Sequence, residues 1–172
     1  QNKQRLFNKD KIEYTLRSLN SILKSIDKAS LAFSKINFKI IVVDHISPHI
    51  NKELIKKQLN KSKINNEFVD LDINEFKNRI NKKNAEGNPV TENQISNMSN
   101  IRKSLQIAND QCKDIIYFIE DDYIHEEDSI SEMIYTYEKI SSLIKKEIIL
   151  CPADYPYLYS KLDATEIFLG HN

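Results

Sequence analysis

The chain has 172 residues, with 25 basic and 25 acidic side chains that cancel. At 40% hydrophobic and 29% charged, it has the composition of one folded domain, residues 1–172, rather than of a disordered tail. The charge balance gives no footprint for nucleic acid or an anionic membrane, no run approaches the ~20 apolar residues of a membrane span, and no charged-then-apolar leader opens the chain, so the cytoplasm is the expected location.

From about residue 9 to 27, Ile12, Leu16, Leu19, Ile22, Leu23 and Ile26 recur at spacings of three and four, which predicts an amphipathic helix. Residues 38–43 form an apolar run broken only by Lys39 and ending on Asp44, the pattern of a strand buried on both faces. Ser47-Pro48 then starts a short helix, and "NEFVDLDI" is a second strand candidate ending near Asp70. "NKKNAEGNPVTEN" lacks periodicity and is a loop. A helix follows, with Ile95, Met98, Ile101, Leu105 and Ile107 or Ala108 on its inner face. Residues 115–119 are the third strand candidate. The next helix turns Ile130, Met133, Ile134, Tyr137, Ile140 and Ile144 inward, with Glu126, Glu127 and Asp128 in its first turn. Residues 148–150 are the last strand candidate, leading into a tyrosine-rich, proline-punctuated loop.

This alternation predicts an α/β fold, a three-layer α/β/α arrangement around a mostly parallel sheet. Ligands of such sheets bind beyond the carboxyl ends of the strands. Asp44, Asp70, Asp154 and the acids at 120–122 all fall at or just past predicted strand ends. Doubly wound folds open on a strand, whereas this chain opens with polar "QNKQR" and a helix, so a first strand and a C-terminal portion are expected outside it.

"DIIYFIEDDYIHEEDSI" drives a strand into Glu120, Asp121 and Asp122. Adjacent carboxylates repel and need water, hydrogen bonds or a cation. Carboxylate oxygens suit Mg²⁺ and Mn²⁺. In an extended segment Glu120 and Asp122 face one way and Asp121 the other, toward the protein. With only Gly87 and Gly170 in the chain, glycine-rich phosphate loops are excluded. An acidic, solvated helix start explains the same residues without any ligand.

"IIYFIEDDYI" resembles the strand and DXD-type motif of GT-A glycosyltransferases, particularly family-2-like enzymes. "YTLRSLNSI" resembles the first helix of that fold, and "FKIIVVDHIS" its second strand, which commonly reads "IIVVDDGS". "NIRKSLQIANDQCKDIIYFIEDD" is similar to the stretch leading to the motif, and together these pieces span roughly residues 10–150 in order. The resemblance implies a metal-dependent transferase using a nucleotide-diphospho-sugar of UDP or GDP type, an unidentified acceptor, and Mn²⁺ or Mg²⁺. It implies Asp122 as metal ligand with Glu120 near the metal-bound water or ribose. It implies Asp44, Glu120 and Asp121 as nucleotide-sugar contacts, with Asp44 toward the base. The chain departs from the pattern where "DDGS" reads "DHIS", with His45 for the second Asp and Ile46 for the glycine.

Asp154 is the acid of "CPADYPYLY" and the candidate general base, with Tyr155, Tyr157 and Tyr159 as stacking surfaces for a sugar or acceptor. A packed surface loop accounts for the same tyrosines. His125 is a candidate metal or phosphate ligand or a polar group at a helix start. His45, His49 and His171 are expected to be structural, and Cys112 and Cys151 reduced and mostly buried. No nucleophile elbow supports Ser-His-Asp chemistry. The alternatives are a nucleotidyltransferase of related fold and a non-catalytic module of the same fold that binds carbohydrate or a protein.

Overall fold

The computed structural model describes residues 8–84 and 86–152. Its elements in chain order are α1 (Lys11–Ala32), β1 (Lys39–Asp44), α2 (His49–Leu59), β2 (Asn65–Asp70), two short 3₁₀ turns over Ile73–Glu75 and Lys77–Arg79, α3 (Glu92–Gln111) and α4 (Ser129–Ile144). The fold is mixed α/β. β1 and β2 pair in parallel, with Lys39 opposite Asn65 and Asp44 opposite Asp70.

Strand periodicity separates two cores. Ile40 and Val42 pack with Phe68 against Leu19, Ile22, Leu23, Ile26 and Ala29 of α1, Ile55 and Leu59 of α2, and Ile130 of α4. Val43, on the opposite face, packs with Ile95 against Leu71, Phe76 and Ile80. Each large α1 side chain removed from water contributes roughly 2 kcal/mol. The predicted spacing on α1 is thus the face that builds the larger core. The helix runs past the predicted end at 27 because Ala29 continues that face, fully buried.

The polar residues of α1 do as much as its apolar ones. Ser21 Oγ accepts from the His125 backbone N–H at 3.0 Å, and Ser25 Oγ accepts from the Ile130 N–H at 3.0 Å. The second bond closes the open N-terminus of α4. Asp128 holds the N-cap position but makes no side-chain cap, and pairs instead with Lys28 at 2.8 Å. Ser25 of a neighbouring helix therefore satisfies an amide that a local cap ordinarily satisfies.

Several expectations change. Residues 115–119 and 148–150 do not join the sheet, which among the described residues has only β1 and β2. A mostly parallel many-stranded sheet of GT-A type is therefore not formed by them. The reason is local: no described segment offers a backbone ladder to residues 115–119, whose side chains stay between 38% and 52% exposed. On α3 the expected inner face is largely outward, with Met98, Ile101 and Leu105 exposed and only Ser99 buried. Ile95 alone of that set joins a core. Helix α4 begins at Ser129, so Glu126 and Glu127 precede it, and Ile144 is exposed. Cys112 is half-buried and Cys151 exposed, both as free thiols.

Ser25→Ala leaves the Ile130 N–H buried without a partner. We expect a loss of about 1–3 kcal/mol in urea unfolding, with Ser21→Ala costing less because His125 is only half-buried. Equal stability of Ser25→Ala and the parent chain would show that α4 does not depend on this cap.

Candidate functional site

Two strand ends meet at one acidic edge. Asp44 and Asp70 are register partners, so parallel pairing sets two carboxylates side by side. Lys52, from the first turns of α2, lies between them. Its Nζ is 3.5 Å from Asp44 and also pairs closely with Asp70. The hydrogen bond that the Lys52 ammonium donates to Asp70 holds the Asp70 carboxyl below its ordinary value and raises Lys52 in return. Asp44 also accepts from the Ser47 N–H at 3.2 Å and from the Ser47 hydroxyl. Nothing in the amino-acid pattern singles out Lys52. Its position one helical turn past Pro48 was the available signal.

The Asp44-to-Ser47 turn forces Ile46 into left-handed backbone, φ +58°. That region costs a residue with a Cβ roughly 1–2 kcal/mol, and a β-branched one is rarely found there. Ile46 is 78% exposed, so burial does not compensate. Glycine stands at this position in the motif that "DHIS" resembles. His45 Nδ1 lies 2.7 Å from Ser96 Oγ, while Asn100 Nδ2 donates to the Val43 carbonyl at 2.9 Å, so α3 buttresses the same edge.

The three consecutive acids fall at a turn rather than in a strand, with Asp121 and Asp122 inside it. Asp121 turns to α1, pairing with Lys11 Nζ at 3.1 Å and accepting from Thr15 Oγ1 at 3.0 Å. Glu120 and Asp122 are exposed, and among the described residues neither has a hydrogen bond or ion pair. A six-residue connection, 33–38, joins α1 to β1 and makes them antiparallel. The Lys11 end of α1, and Asp121 with it, therefore lies toward the Asp44 end of β1.

His125 is not turned toward the free acids. Its Nε2 lies 2.9 Å from the Tyr117 hydroxyl, and the rings meet edge to face at 5.8 Å. Burial lowers the His125 pKa. The Tyr123 backbone offsets part of this. Desolvation pushes Tyr117 up, aided by nearby Cys151. The pair brackets the acidic turn and fixes its two ends against each other.

Glu120 and Asp122 supply the hard carboxylate oxygens that Mg²⁺ or Mn²⁺ takes, and neither is neutralised within the protein. Among the described residues no group of three or more His, Cys, Asp or Glu is placed to share a cation. Two carboxylates alone leave most of a Mg²⁺ or Mn²⁺ shell to water or another molecule. The recess between the 81–90 loop and α3, bordered by Lys83, Asn84, Gln94 and Asn97, contains none of the candidate acids. Asp154, Tyr155, Tyr157, Tyr159 and His171 lie outside the described residues. Among the described residues no helix is long and apolar enough to cross a membrane.

Replacing Ile46 by glycine removes the left-handed strain at the expense of a more flexible unfolded chain. The net gain expected is about 0.5–1 kcal/mol in chemical denaturation, with Ile46→Asn gaining less. A loss of stability in both variants would mean that Ile46 makes contacts that outweigh its backbone.

Comparison with models of protein families, with curated proteins and with solved structures finds no match.

Proposed function

We propose that the chain is a nucleotide-sugar-dependent glycosyltransferase domain whose donor diphosphate is held through a divalent cation on Asp122 and Glu120. The observation that carries this reading is the selective neutralisation of the acidic turn. Asp121 is paired with Lys11, while its two neighbours are left charged and open to solvent. Two unpaired carboxylates beside a fixed strand-like segment are a natural seat for a hard cation bearing phosphate oxygens.

When bound, Mg²⁺ or Mn²⁺ supplies Lewis-acid stabilisation of the charge that develops on a departing nucleoside diphosphate. The chain's own residues do the rest. Lys11 and Thr15 hold Asp121 and so aim its neighbours outward. The Tyr117–His125 contact limits how far the turn can move. Asp44, steadied by Ser47 and Lys52, is the candidate acceptor for a base N–H. Asp154 remains the candidate general base for the acceptor hydroxyl, on sequence grounds.

One observation favours a second reading, a binding module without turnover. Asp44 already accepts from Ser47 and faces Lys52, so part of its acceptor capacity is used before any nucleotide arrives. The two readings share the cation seat and part company at group transfer.

Titration calorimetry with UDP and GDP, with and without Mn²⁺, tests the seat. We expect Mn²⁺ to strengthen binding of one diphosphate by roughly tenfold or more, and Asp122→Ala to abolish that gain. Asp121→Asn should weaken it less, because Asp121 acts through its contact with α1. Equal diphosphate affinity with and without Mn²⁺ would remove the metal-dependent reading.

Asp154→Asn should lower turnover by about 10²-fold or more while donor binding stays within a few-fold of the parent. Unchanged turnover would remove Asp154 from catalysis. Loss of donor binding together with turnover would make its loop a wall of the nucleotide pocket.

A further inference from the structure

The recess between the 81–90 loop and α3 has a volume of about 360 Å³, toward the lower end of the range for small-molecule sites. Its loop wall is closed by its own backbone. The Val90 N–H donates to the Lys82 carbonyl at 3.1 Å, the Asn84 N–H to the Asn88 carbonyl at 2.8 Å, and the Gly87 N–H to the Asn84 carbonyl at 3.0 Å. Gly87, at φ +82°, supplies the left-handed residue of this turn. Ile80, just before the loop, and Ile95, near the start of α3, both pack in the smaller core and anchor the two walls.

Hydrogen bonding within these walls leaves the recess rich in donors. Asn84 Oδ1 accepts from the backbone N–H groups of Glu86 and Asn88 at 3.1 and 2.9 Å. Gln94 Oε1 accepts from the Thr91 N–H at 2.8 Å and from the Thr91 hydroxyl at 3.2 Å. Both carboxamide oxygens are therefore in use, while among the described residues neither NH₂ group has a partner. The Asn97 carboxamide and the Lys83 ammonium have no partner there either. Among the described residues no carboxylate borders the recess, and Val90 and Met98 give it an apolar side.

We infer that this recess binds a small carboxylate-bearing, polyhydroxylated molecule, in its simplest form a sugar acid. The Lys83 ammonium meets the carboxylate in a charge-assisted hydrogen bond. The Asn84 and Gln94 NH₂ groups donate to ring or hydroxyl oxygens, and Asn97, with both ends of its amide unused, serves a hydroxyl that donates and accepts. Val90 and Met98 cover the C–H face of the ring. The charge count selects a carboxylate over a phosphate. One ammonium balances one negative charge. The start of α3, where a dianionic phosphate is ordinarily seated, already carries Glu92 in its first turn and a capping box of Thr91 and Gln94. The recess shares no residue with the cation seat of Glu120 and Asp122, so the inference stands apart from the transferase reading.

Titration calorimetry and side-chain amide NMR on the 172-residue chain test this. The probes are glucuronate, galacturonate and N-acetylneuraminate, each beside its uncharged amide, with glucose 6-phosphate as the dianion. At least one sugar acid should bind and shift the Asn84, Gln94 and Asn97 NH₂ signals. It should bind roughly tenfold or more tightly than its own amide, because only the acid gains the charge-assisted bond. Lys83→Gln should erase that preference and leave the amide's affinity nearly unchanged. Asn97→Ala should weaken acid and amide alike, by roughly three- to tenfold. Lys83 and Asn97 are both exposed, so neither variant threatens the fold. Unmoved amide signals with every acid, equal affinity for acid and amide, or a preference that survives Lys83→Gln would each overturn the inference. Tighter binding of glucose 6-phosphate than of any sugar acid would overturn it too, since the recess would then be a phosphate site.

Discussion

The N-terminal helix is the constraint on which the rest of the structure depends. Its apolar face organises β1, β2 and α2 into the larger core, and its hydroxyls reach in the other direction. Ser21 and Ser25 sit one turn apart and each accepts a backbone N–H from the segment that carries the acids into α4. These bonds are directional and partly shielded from water, so they fix position where hydrophobic contact would only supply attraction. Lys11, Thr15 and Lys28 extend the same line of contacts to Asp121 and Asp128. One helix thereby sets the sheet and the acidic turn in a common frame.

Within that frame the acids are balanced unequally. Lys52 serves Asp44 and Asp70, Lys11 serves Asp121 and Lys28 serves Asp128, while Glu120 and Asp122 are left open. Surface ion pairs of this kind add little stability each. Their consequence is spatial. They pair Asp121 and Asp128 and leave Glu120 and Asp122 open to solvent.

The turn after β1 joins sequence to function most directly. A left-handed Ile46 is held by an Asp44–Ser47 hydrogen bond and by α2 beginning just after Pro48. The surrounding bonds over-determine a conformation that its own side chain disfavours. His45, in place of a second carboxylate, is drawn to Ser96 on α3 and away from Asp44's partners.

Local chemistry decided much of this in advance. The 3.6-residue spacing fixed the face of α1, because the same residues are apolar whatever packs on them. The apolar runs ending on Asp44 and near Asp70 specified two strands. The loop around Gly87 was legible as well, but α3 starts at Glu92, inside the stretch read as loop, on a capping box of Thr91 and Gln94. Four features belong to the tertiary structure: Lys52 between two strand ends, Ser25 capping a helix from another helix, the outward face of α3, and the unladdered state of residues 115–119. Each depends on which distant segment is present as a partner. An apolar run carries its own hydrophobicity in its sequence, but a strand exists only when a second backbone supplies the other half of its hydrogen bonds.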